Sequence, residues 1–477
     1  MINNLLLHTD VYKMGHMDQY PPGTTEVYSY LTARSGAKIP KTLFFGLQYY
    51  LTAYLQQAIT TDDVDQFMGY KRSILGSEGD SRAKLMSLVK LGYMPLEIRA
   101  VPEGTVLPTG NVLMTVRNTH PDFAWVVGFF ESLLLKVWNT TTVASYSYAL
   151  KQIMSGYAHL YCDNQEHLQF QVHDFGYRGC SSEETAALSG AAHLINFLGT
   201  DTVPGLWLLR KYYAGGTDGG PIGLSVPATE HSVMCAYKRE NEFDAFDRMI
   251  NVLYPEGFVS IVSDTYNLWT VLTDFAPRLK DQIMARRGRV VFRPDSGDPV
   301  KVVCGDPDAA PGSPEFKGAL QLLDEVFGST LNSKNMRVLD PHVGLIYGDG
   351  MTSERMQEMI TKAAAKGYAP SNLVFGVGGL LLQQHSRDTQ GFAIKATHCI
   401  VNGEQRAIMK DPVTDSGKRS LCGYLALRKD EQGQFVTQEV PSLEEANNCS
   451  LLELVFKDGQ LLRFQTLSDI RDRAQLV

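Results

Sequence analysis

The stretch that decides the fold is Val290-Val-Phe-Arg-Pro-Asp-Ser-Gly297, a short apolar run that ends in polar residues and a glycine. Six more runs of this kind occur in the middle of the chain. They are Phe170–Gly176, Leu194–Asp201, Leu224–His231, Val259–Asp264, Gly344–Gly350 and Leu373–Gly379. Segments of helical character usually follow them, and buried parallel strands that alternate with helices form β/α units. Seven such units in series favour an α/β fold with a closed barrel, although an open doubly wound sheet has the same local pattern.

Four of the intervening segments are predicted to be helices. They span Ser181–Ala192, His231–Leu253, Tyr266–Arg287 and Thr352–Lys366. The first opens with Ser181-x-x-Glu184, the spacing of a capping box. In a barrel, the polar residues that end the runs lie at the C-terminal ends of the strands, where catalytic groups of this architecture sit. The Gly/Pro-rich stretches 213–223 and 304–314 are predicted loops, and the first is a candidate lid.

The segments on either side of the barrel region have a different pattern. Residues 1–148 contain alternating stretches such as Val27-Tyr-Ser-Tyr-Leu31, which are typical of an α+β domain. Residues 391–477 alternate again and are expected to pack back on the N-terminal domain. The predicted organisation is therefore an α+β domain over 1–148, a barrel-like catalytic domain over 149–390 and a C-terminal segment over 391–477.

Composition and charge exclude several classes of protein. The 477 residues carry 44 Lys and Arg against 52 Asp and Glu, a net charge of −8, which does not suit a nucleic-acid or anionic-membrane binder. The seven cysteines are scattered without a C-x-x-C pair, as in proteins of reducing compartments. The start lacks a signal-peptide pattern, and the apolar stretch Ala124–Trp138 is too short to span a bilayer. We therefore expect a cytoplasmic protein.

The hexapeptide Arg293-Pro-Asp-Ser-Gly-Asp298 is the most informative motif for chemistry. An arginine at a strand end can form two parallel hydrogen bonds to a carbonyl-containing group or a phosphate. Asp295, held just after the turn, could accept hydrogen bonds from a sugar diol. A structural Arg–Asp pair in a turn is the alternative, and the position after an apolar strand favours a functional role.

Two glycine motifs follow on successive strands, Gly348-Asp-Gly350 and Gly376-Val-Gly-Gly379. Glycines let backbone N–H groups approach an anion, so the pair predicts a phosphate site, with Arg387 and Lys395 further along the chain. Ordinary turns are the alternative for each motif alone. The chain has no G-x-x-x-x-G-K-[ST] sequence, so a P-loop enzyme is not favoured.

Single histidines and aromatic residues are less specific signals. His231 and His173 each stand alone, and such residues are more often structural than catalytic. The chain has no histidine pair at i and i+4 and no G-x-S-x-G motif, so neither a zinc cage nor a hydrolase triad is favoured. Phe175, at a strand end, could belong to the core or stack on a flat ligand ring. Tyr12 is in a segment that by itself would be an ordinary surface stretch.

In order along almost the whole chain, the motifs resemble those of the nicotinamide phosphoribosyltransferase family, which are type II phosphoribosyltransferases. The matching motifs are Thr9-Asp-Val-Tyr-Lys, Gln19-Tyr-Pro-Pro-Gly, Phe45-Gly-Leu-Gln-Tyr, Ala100-Val-Pro-Glu-Gly, His173-Asp-Phe-Gly-Tyr-Arg-Gly, Gly199-Thr-Asp-Thr, Ser225-Val-Pro-Ala-Thr-Glu-His-Ser, Ser263-Asp-Thr-Tyr, Arg293-Pro-Asp-Ser-Gly, Gly348-Asp-Gly and Lys410-Asp-Pro-Val. The resemblance implies a reaction of nicotinamide with 5-phosphoribosyl 1-pyrophosphate and Mg²⁺, giving nicotinamide mononucleotide and pyrophosphate in NAD biosynthesis. It also implies a homodimer whose active sites lie at the subunit interface.

The resemblance assigns the pyridine ring to two aromatic residues and one acid. Phe175 and Tyr12 of the partner subunit would sandwich the ring. Asp201 would accept a hydrogen bond from the carboxamide NH₂, with Arg293 on the carbonyl side. Facing nicotinate, Asp201 would meet a carboxylate, at a cost of up to about 4 kcal/mol for 4 Å and an effective dielectric constant of 20. This would separate the amide from the acid.

The remaining roles implied by the resemblance concern the sugar, the phosphates and ATP. Asp295 would hold the ribose hydroxyls, and His231 matches the family histidine that ATP phosphorylates, so His231, Asp295 and Arg293 form the expected catalytic set. Mg²⁺ would bind mainly through substrate oxygens. The other expected substrate-binding residues are Arg178, Ser225, Ser260, Asp264, Gly348, Asp349, Gly378 and Gly379, together with Arg34, Arg387, Lys395 and Lys410, of which the first three would come from the facing subunit.

One departure and two alternatives accompany this interpretation. Gly344 stands where animal members carry an arginine near the ribose and phosphate, which predicts a changed affinity for nucleotide. A nicotinate phosphoribosyltransferase is the first alternative, and Asp201 argues against it. A dimeric binding protein that has lost turnover is the second, and the intact His231, Asp295 and Arg293 argue against it.

Overall fold

The computed structural model describes residues 3–410, 414 and 420–475, which form two compact units. The first, which we call the sheet unit, contains the chain up to residue 145, residues 208–218 and the chain from residue 385 onward. The second, the barrel unit, contains residues 146–207 and 219–384. Residues 411–413, part of the Lys410-Asp-Pro-Val motif, lie outside the described residues.

The barrel unit is built on a five-stranded parallel sheet. Its strands, in spatial order, are Val172–Asp174, Leu373–Val377, Val343–Tyr347, Gly288–Arg293 and Gly257–Val262. Single parallel bridges join Asp174 to Thr200, Gly199 to Leu224 and Ala228 to Ser260, which connects the two outer strands through two further segments. All seven apolar runs therefore lie in one ring, and the predicted α/β barrel-like fold is confirmed.

The apolar runs contain buried strands. In strand Gly257–Val262 the last four residues are buried, and in strands Val343–Tyr347 and Leu373–Val377 the last three are. In strand Gly288–Arg293 only Val290 and Phe292 are buried. Parallel strands covered on both faces need apolar side chains at successive positions rather than at alternate ones. The helices between residues 137 and 384 are Val137–Tyr161, Leu168–Gln171, Glu183–His193, Val203–Tyr212, His231–Ala236, Glu242–Asp247, Leu268–Thr270, Ala276–Arg278, Lys280–Ala285, Pro299–Cys304, Pro314–Lys317, Ala319–Phe327, Ser353–Ala365 and Gly379–Leu382.

One of the predicted helices is broken, and another contains a wide turn. Residues 231–253 divide into several short elements, and Lys238 between them has a left-handed backbone with φ of 65°. Residues 268–278 stay helical, with a wide π turn over Val271–Phe275 just before Pro277, which has no N–H to donate within a helix, and helix Lys280–Ala285 follows after Leu279. The helix begins one residue later than the predicted capping box implies: Ser182, not Ser181, is the N-cap, and its side chain accepts from the backbone N–H of Thr185.

The sheet unit is built on a seven-stranded sheet in which every pair of neighbouring strands is antiparallel. In spatial order its strands are Glu404–Ala407, Ala393–Val401, Thr24–Thr32, Val112–Asn118, Leu96–Ala100, Glu453–Lys457 and Gln460–Leu461. Strand Thr24–Thr32 pairs with Ala393–Val401, and Leu96–Ala100 pairs with Glu453–Lys457. The N-terminal and C-terminal segments therefore share one sheet.

Short hairpins and helices complete the two units. The paired strands are Lys41–Leu43 with Val106–Pro108, Tyr424–Lys429 with Phe435–Val440 and, in the barrel unit, Ser329–Leu331 with Arg337–Leu339. The helices of the sheet unit are His16–Gln19, Leu47–Tyr50, Thr61–Leu75, Ser81–Leu91, Val126–Phe129, Glu131–Leu135, Leu443–Asn448 and Leu467–Gln475. Among the described residues, none of the helices has the length and apolar character needed to cross a membrane.

Candidate active site

The candidate site of the barrel unit lies where the parallel strands end. Phe175 follows strand Val172–Asp174, Arg293 is the last residue of strand Gly288–Arg293, and Gly348 follows strand Val343–Tyr347. Because parallel strands present their carboxyl ends at the same edge, residues far apart in sequence are brought to one face. The polar ends of the runs are thus placed where the sequence predicts chemistry.

The Asp201 carboxylate is held by two side chains. Its Oδ1 accepts from Ser225 Oγ at 2.5 Å and lies 3.0 Å from His173 Nε2. Burial works to raise the pKa of Asp201, but hydrogen bonding and charge from His173, with smaller effects of Ser225 and Arg293, outweigh it and leave the pKa below its usual value. Within the described residues both hydrogen bonds go to Oδ1, and the side chain remains 45% exposed. Asp201 is therefore a fixed anionic acceptor that still reaches solvent.

His173 is a functional candidate that the sequence reasoning left as a structural residue. It lies on strand Val172–Asp174, faces Gly376 in the strand register and has its ring centroid 5.0 Å from that of Phe175. The signal that could have identified it is its position two residues before Phe175, which puts both side chains on the same face of the strand. His173 thus lies between the aromatic ring and the acid that are expected to bind the pyridine.

Replacing His173 with Gln should raise the pKa of Asp201, because the largest of the influences that lower it is removed. A carboxylate with a depressed pKa stabilises the fold fully above its unfolded value, near 3.9, and this stabilisation is lost as the pH falls through the folded pKa. The free energy of unfolding, measured in urea between pH 3 and 5, should therefore change less steeply with pH in the variant. An unchanged slope would mean that His173 does not set the charge of Asp201.

Phe175 is seated against two glycines. A Cβ on Gly376 would lie 2.2 Å from Cε2 of the Phe175 ring, and a Cβ on Gly348 would lie 3.1 Å from the same atom. The Phe175 backbone N–H also donates to the Val377 carbonyl at 2.9 Å. Gly376, expected from its motif to approach an anion, therefore makes room for an aromatic ring, and Gly348 borders both this ring and Asp295 Oδ1, 3.1 Å from its Cβ position. By contrast, a Cβ on Gly378 would meet nothing within 4 Å.

The segment that carries Arg293 and Asp295 is anchored by Asp264. Asp264 Oδ2 accepts from the backbone N–H of Asp295 at 2.8 Å and from Ser296 Oγ at 2.5 Å. Arg293 Nη2 donates to the Thr229 carbonyl at 2.6 Å, while its buried Nε has no hydrogen-bond partner in the described part of the chain. Asp264, which is expected to bind substrate, therefore also uses its Oδ2 to hold the loop through two hydrogen bonds.

His231 lies beside these two acids. Its Nε2 is 3.9 Å from Asp264 Oδ1 and 3.7 Å from Asp295 Oδ2, and its Nδ1 is 3.3 Å from Thr265 Oγ1. The His231 side chain is 47% exposed. This exposure leaves the ring open to a reagent from solution.

A second candidate site is a cationic cavity of about 370 Å³ in the sheet unit. Arg34, Arg387, Lys395 and Lys410 all line it. Burial lowers the pKa of Lys395, and the positive charges of Arg34 and Lys410 lower it further. An anion in this cavity would relieve that repulsion, so the cavity is suited to a phosphate or pyrophosphate group.

One acid also lines this cationic cavity. Glu131 forms an ion pair with the buried Lys13, whose Nζ lies 3.2 Å from its Oε2. Burial raises the pKa of Glu131 and Lys13 partly offsets this. Tyr12, next to Lys13, is 61% exposed, which is unusual for an aromatic side chain.

The other expected site residues differ in exposure. Ser260 is buried, and its Oγ has no hydrogen-bond partner within the described residues. Arg178 and Asp349 are exposed. Gly379 begins the helix Gly379–Leu382, and a Cβ on it would make only ordinary contacts with Gly179.

Gly344 lies near the N-terminal end of its strand, away from the carboxyl end. It is the second residue of strand Val343–Tyr347, four positions before Gly348, or roughly 13 Å at about 3.3 Å per residue. A Cβ there would meet the side chains of Arg289 and Val291 at 3.1 and 3.3 Å. The expected change in nucleotide affinity stays a prediction.

Metal binding by protein side chains alone is not supported. The described residues contain no group of three or more His, Cys, Asp or Glu that could hold a metal ion. Asp264 Oδ1, however, is buried and without a hydrogen-bond partner in the same residues. A Mg²⁺ ion that keeps waters and uses one or two carboxylates plus substrate phosphates fits this arrangement.

Comparisons with known proteins identify relatives over the whole chain. The model of the nicotinate phosphoribosyltransferase (NAPRTase) family matches residues 170–459, and that of the nicotinamide phosphoribosyltransferase N-terminal domain matches residues 4–77. A nicotinamide phosphoribosyltransferase of Acinetobacter baylyi is 42% identical, covering 98% of this chain and 97% of its own. A nicotinamide phosphoribosyltransferase of Xanthomonas campestris is 40% identical over 99% of this chain and 98% of its own.

Solved structures share the fold at lower sequence identity. The nicotinate-nucleotide pyrophosphorylase from Pyrococcus furiosus has a TM-score of 0.60 at 15% identity, covering 99% of this chain and 95% of its own. The human nicotinic acid phosphoribosyltransferase has a TM-score of 0.55 at 18% identity, and the match covers 98% of this chain and 93% of its own. At these identities the likeness concerns the fold alone.

Proposed function

Since this chain belongs to the nicotinamide phosphoribosyltransferase family, we propose that it transfers the phosphoribosyl group of 5-phosphoribosyl 1-pyrophosphate to nicotinamide, giving nicotinamide mononucleotide and pyrophosphate for NAD biosynthesis. The chain is a pentosyltransferase. The observation that carries the choice of pyridine is the Asp201 carboxylate, fixed through Oδ1 by Ser225 and His173.

Asp201 is proposed to read the carboxamide. An amide NH₂ can donate to a carboxylate, whereas the carboxylate of nicotinate can only repel it. The depressed pKa keeps Asp201 ionised at neutral pH, so the repulsion operates under physiological conditions. Arg293, anchored by Nη2 on the Thr229 carbonyl, is the proposed donor to the carboxamide oxygen.

The proposal is tested by assaying both pyridines side by side with phosphoribosyl pyrophosphate and Mg²⁺. We expect pyrophosphate release with nicotinamide, and turnover of nicotinate lower by about two to three orders of magnitude. Preference for the acid would assign the chain to nicotinate instead. Binding of both substrates without pyrophosphate release would show a binding protein that has lost turnover.

Phe175 is proposed to form one face of a sandwich around the pyridine ring, with Tyr12 of a second chain forming the other. The exposure of Tyr12 supports this, because an exposed aromatic side chain is available for stacking. Stacking of a base on an aromatic side chain is worth about 1–3 kcal/mol. The proposal requires a homodimer in which each active site takes residues from both subunits.

Mixing two inactive variants tests this sharing. Homodimers of Tyr12→Ala and of Asp295→Ala should both be impaired, because each damages both sites. A heterodimer of the two should recover one working site, about half of the activity of a wild-type dimer. If purified heterodimers stay as impaired as the parents, Tyr12 acts within its own chain.

The cationic cavity is proposed to hold the phosphate groups of a substrate in the partner's site. The supporting observation is that Arg34, Arg387, Lys395 and Lys410, which are far apart in sequence, all line one cavity. Arg178, Asp349, Gly378 and Gly379 are the proposed contributions of the barrel unit to phosphate binding. Such a cluster supplies locally the positive field that the net charge of −8 does not.

The proposed chemistry relies on positioning and charge. As the bond to pyrophosphate breaks, positive charge develops on the ribosyl carbon, and the pyridine nitrogen attacks it. Asp295 would orient the ribose hydroxyls, and the stacked aromatic rings would hold the nitrogen in line. Arginine and lysine side chains would neutralise the leaving group as its charge grows. Asp264 and Asp295 are the carboxylates that could hold Mg²⁺, which would bind the pyrophosphate oxygens and stabilise their charge.

ATP coupling is proposed to act through phosphorylation of His231. The His231 ring is exposed, and its Nδ1 lies 3.3 Å from Thr265 Oγ1. In the neutral ring, an Nδ1–H that donates to this oxygen leaves the lone pair of Nε2 free to attack the γ-phosphorus of ATP, with ADP as the leaving group. Incubation with γ-labelled ATP should place an acid-labile phosphate on His231. The His231→Gln variant serves as the blank. If the wild-type protein takes up no more label than this variant, the proposed coupling to ATP is wrong.

The cellular setting is proposed to be the cytoplasm. All seven cysteines are free thiols in the structure, as expected for a protein of a reducing compartment.

A further inference from the structure

Tyr347 carries a polar contact that none of the roles above explains. It is the last residue of strand Val343–Tyr347, and its side chain is 1% exposed. Its hydroxyl donates to the carbonyl of Gly297 at 2.9 Å. A buried tyrosine hydroxyl needs a hydrogen-bond partner, and here the partner is in the loop that carries Asp295.

The loop has three anchors, and two of them, Asp264 and Tyr347, come from the ends of other strands. Asp264 holds the first part, through the backbone N–H of Asp295 and the Ser296 hydroxyl. Asp298 closes the loop by accepting from the N–H groups of Val300 and Lys301 at the start of helix Pro299–Cys304. Between them, Tyr347 fixes the carbonyl of Gly297, whose backbone is left-handed with φ of 91°.

The sequence position of Tyr347 links this anchor to the rest of the site. Gly348, the next residue, borders both Asp295 Oδ1 and the Phe175 ring. The hydrogen bond from Tyr347 to the loop therefore holds Asp295 at a fixed position relative to Gly348 and the Phe175 ring. Burial raises the pKa of Tyr347, and the negative charges of Asp349, Asp264, Asp295 and Asp298 raise it further, so its hydroxyl remains a hydrogen-bond donor at neutral pH.

We propose that Tyr347 is a positioning residue for Asp295: by holding the Gly297 carbonyl it fixes the loop that presents the Asp295 carboxylate to the ribose hydroxyls of the substrate. The role of Asp295 in this statement rests on the proposed function. The tether itself does not, because it concerns the unliganded loop.

Tyr347→Phe removes the tether and keeps the buried ring. Tyr368→Phe is a matched control, because Tyr368 is equally buried and its hydroxyl donates to Asp324 at 2.8 Å, away from the loop. In the unliganded protein, amide hydrogen exchange of the peptide covering residues 294–298 should accelerate about three- to tenfold in Tyr347→Phe, the range expected for one neutral hydrogen bond. Tyr368→Phe should leave it unchanged. Equal exchange in the two variants would overturn the proposal.

Turnover supplies the second measurement. Tyr347→Phe should lower kcat/KM for phosphoribosyl pyrophosphate about three- to tenfold while KM for nicotinamide stays within about twofold of the wild type. A merely structural loss would affect both substrates or neither, as in the Tyr368→Phe control.

A double variant tests whether Tyr347 acts through Asp295. In an Asp295→Ala background, Tyr347→Phe should not weaken phosphoribosyl pyrophosphate binding any further in calorimetry, and additive losses would refute action through Asp295. A wild-type protein that does not use these substrates would refute the proposed function, and the exchange measurement would still decide the tether.

Discussion

Asp201→Asn should reduce the preference for nicotinamide over nicotinate by about two to three orders of magnitude, mainly by admitting nicotinate. The asparagine keeps an acceptor for the carboxamide NH₂ but loses the charge that repels the acid. Because Ser225 and His173 hold the carboxylate at one oxygen, the charge in the wild type is fixed in place and is not free to swing away. The measurement is kcat/KM for both pyridines at saturating phosphoribosyl pyrophosphate.

A control for the Asp201 substitution is available in the same unit. Asp274→Asn makes the same chemical change at an exposed residue whose one ion pair within the described residues is with Arg278, at 3.4 Å. It should leave both kcat/KM values and the thermal midpoint unchanged, since exposed ion pairs are worth about 0–1 kcal/mol. If Asp201→Asn keeps the wild-type preference while remaining folded, the amide is read by another group.

Gly376→Ala should weaken nicotinamide binding by displacing the Phe175 ring, although the substituted residue itself is not proposed to contact the ligand. The added methyl would overlap the Phe175 ring at 2.2 Å and the Gly348 backbone at 2.9 Å, so the ring must leave its seat. Loss of the stacking contribution, about 1–3 kcal/mol, predicts nicotinamide binding about 5- to 150-fold weaker. Overpacking should also lower the free energy of unfolding by about 1–3 kcal/mol.

A second substitution separates the two effects of Gly376→Ala. In the double variant Phe175→Ala, Gly376→Ala, the space for the methyl is restored, so the stability should recover in part while nicotinamide binding stays weak. Gly156→Ala serves as the control, because Gly156 lies inside helix Val137–Tyr161 and a Cβ there meets nothing within 4 Å. It should be neutral or slightly stabilising. Full nicotinamide affinity in Gly376→Ala would show that Phe175 does not stack on the ring.

Local patterns in the sequence were sufficient for the barrel but not for its helices. The apolar runs that end in polar residues, such as Val290–Gly297, predict buried strands because a parallel strand is covered on both faces. The break after His231–Ala236 and the wide helical turn at Val271–Phe275 were not predicted, because a left-handed residue or a single wide turn leaves the apolar periodicity almost intact.

Site residues could be predicted where a single sequence motif places them at a strand end. They could not be predicted where the arrangement depends on the pairing of two strands. Arg293 and Asp295 follow an apolar run, which is enough to place them at a strand end. The seat of Phe175 depends on Gly376 facing His173 across two paired strands, and no spacing within one motif records that pairing. For the same reason the link from His173 to Asp201 was not foreseen.

Because strand Thr24–Thr32 pairs with strand Ala393–Val401, this part of the sheet can form only after almost the whole chain has been synthesised. At about 5–20 residues per second, roughly 20 to 75 s of translation separate the synthesis of these two strands. During that interval the earlier strand waits at the ribosome with one edge uncovered, while most of the residues of the barrel unit emerge. Capture of nascent chains of increasing length should therefore show holding chaperones bound until residue 401 has left the exit tunnel, and departing soon after.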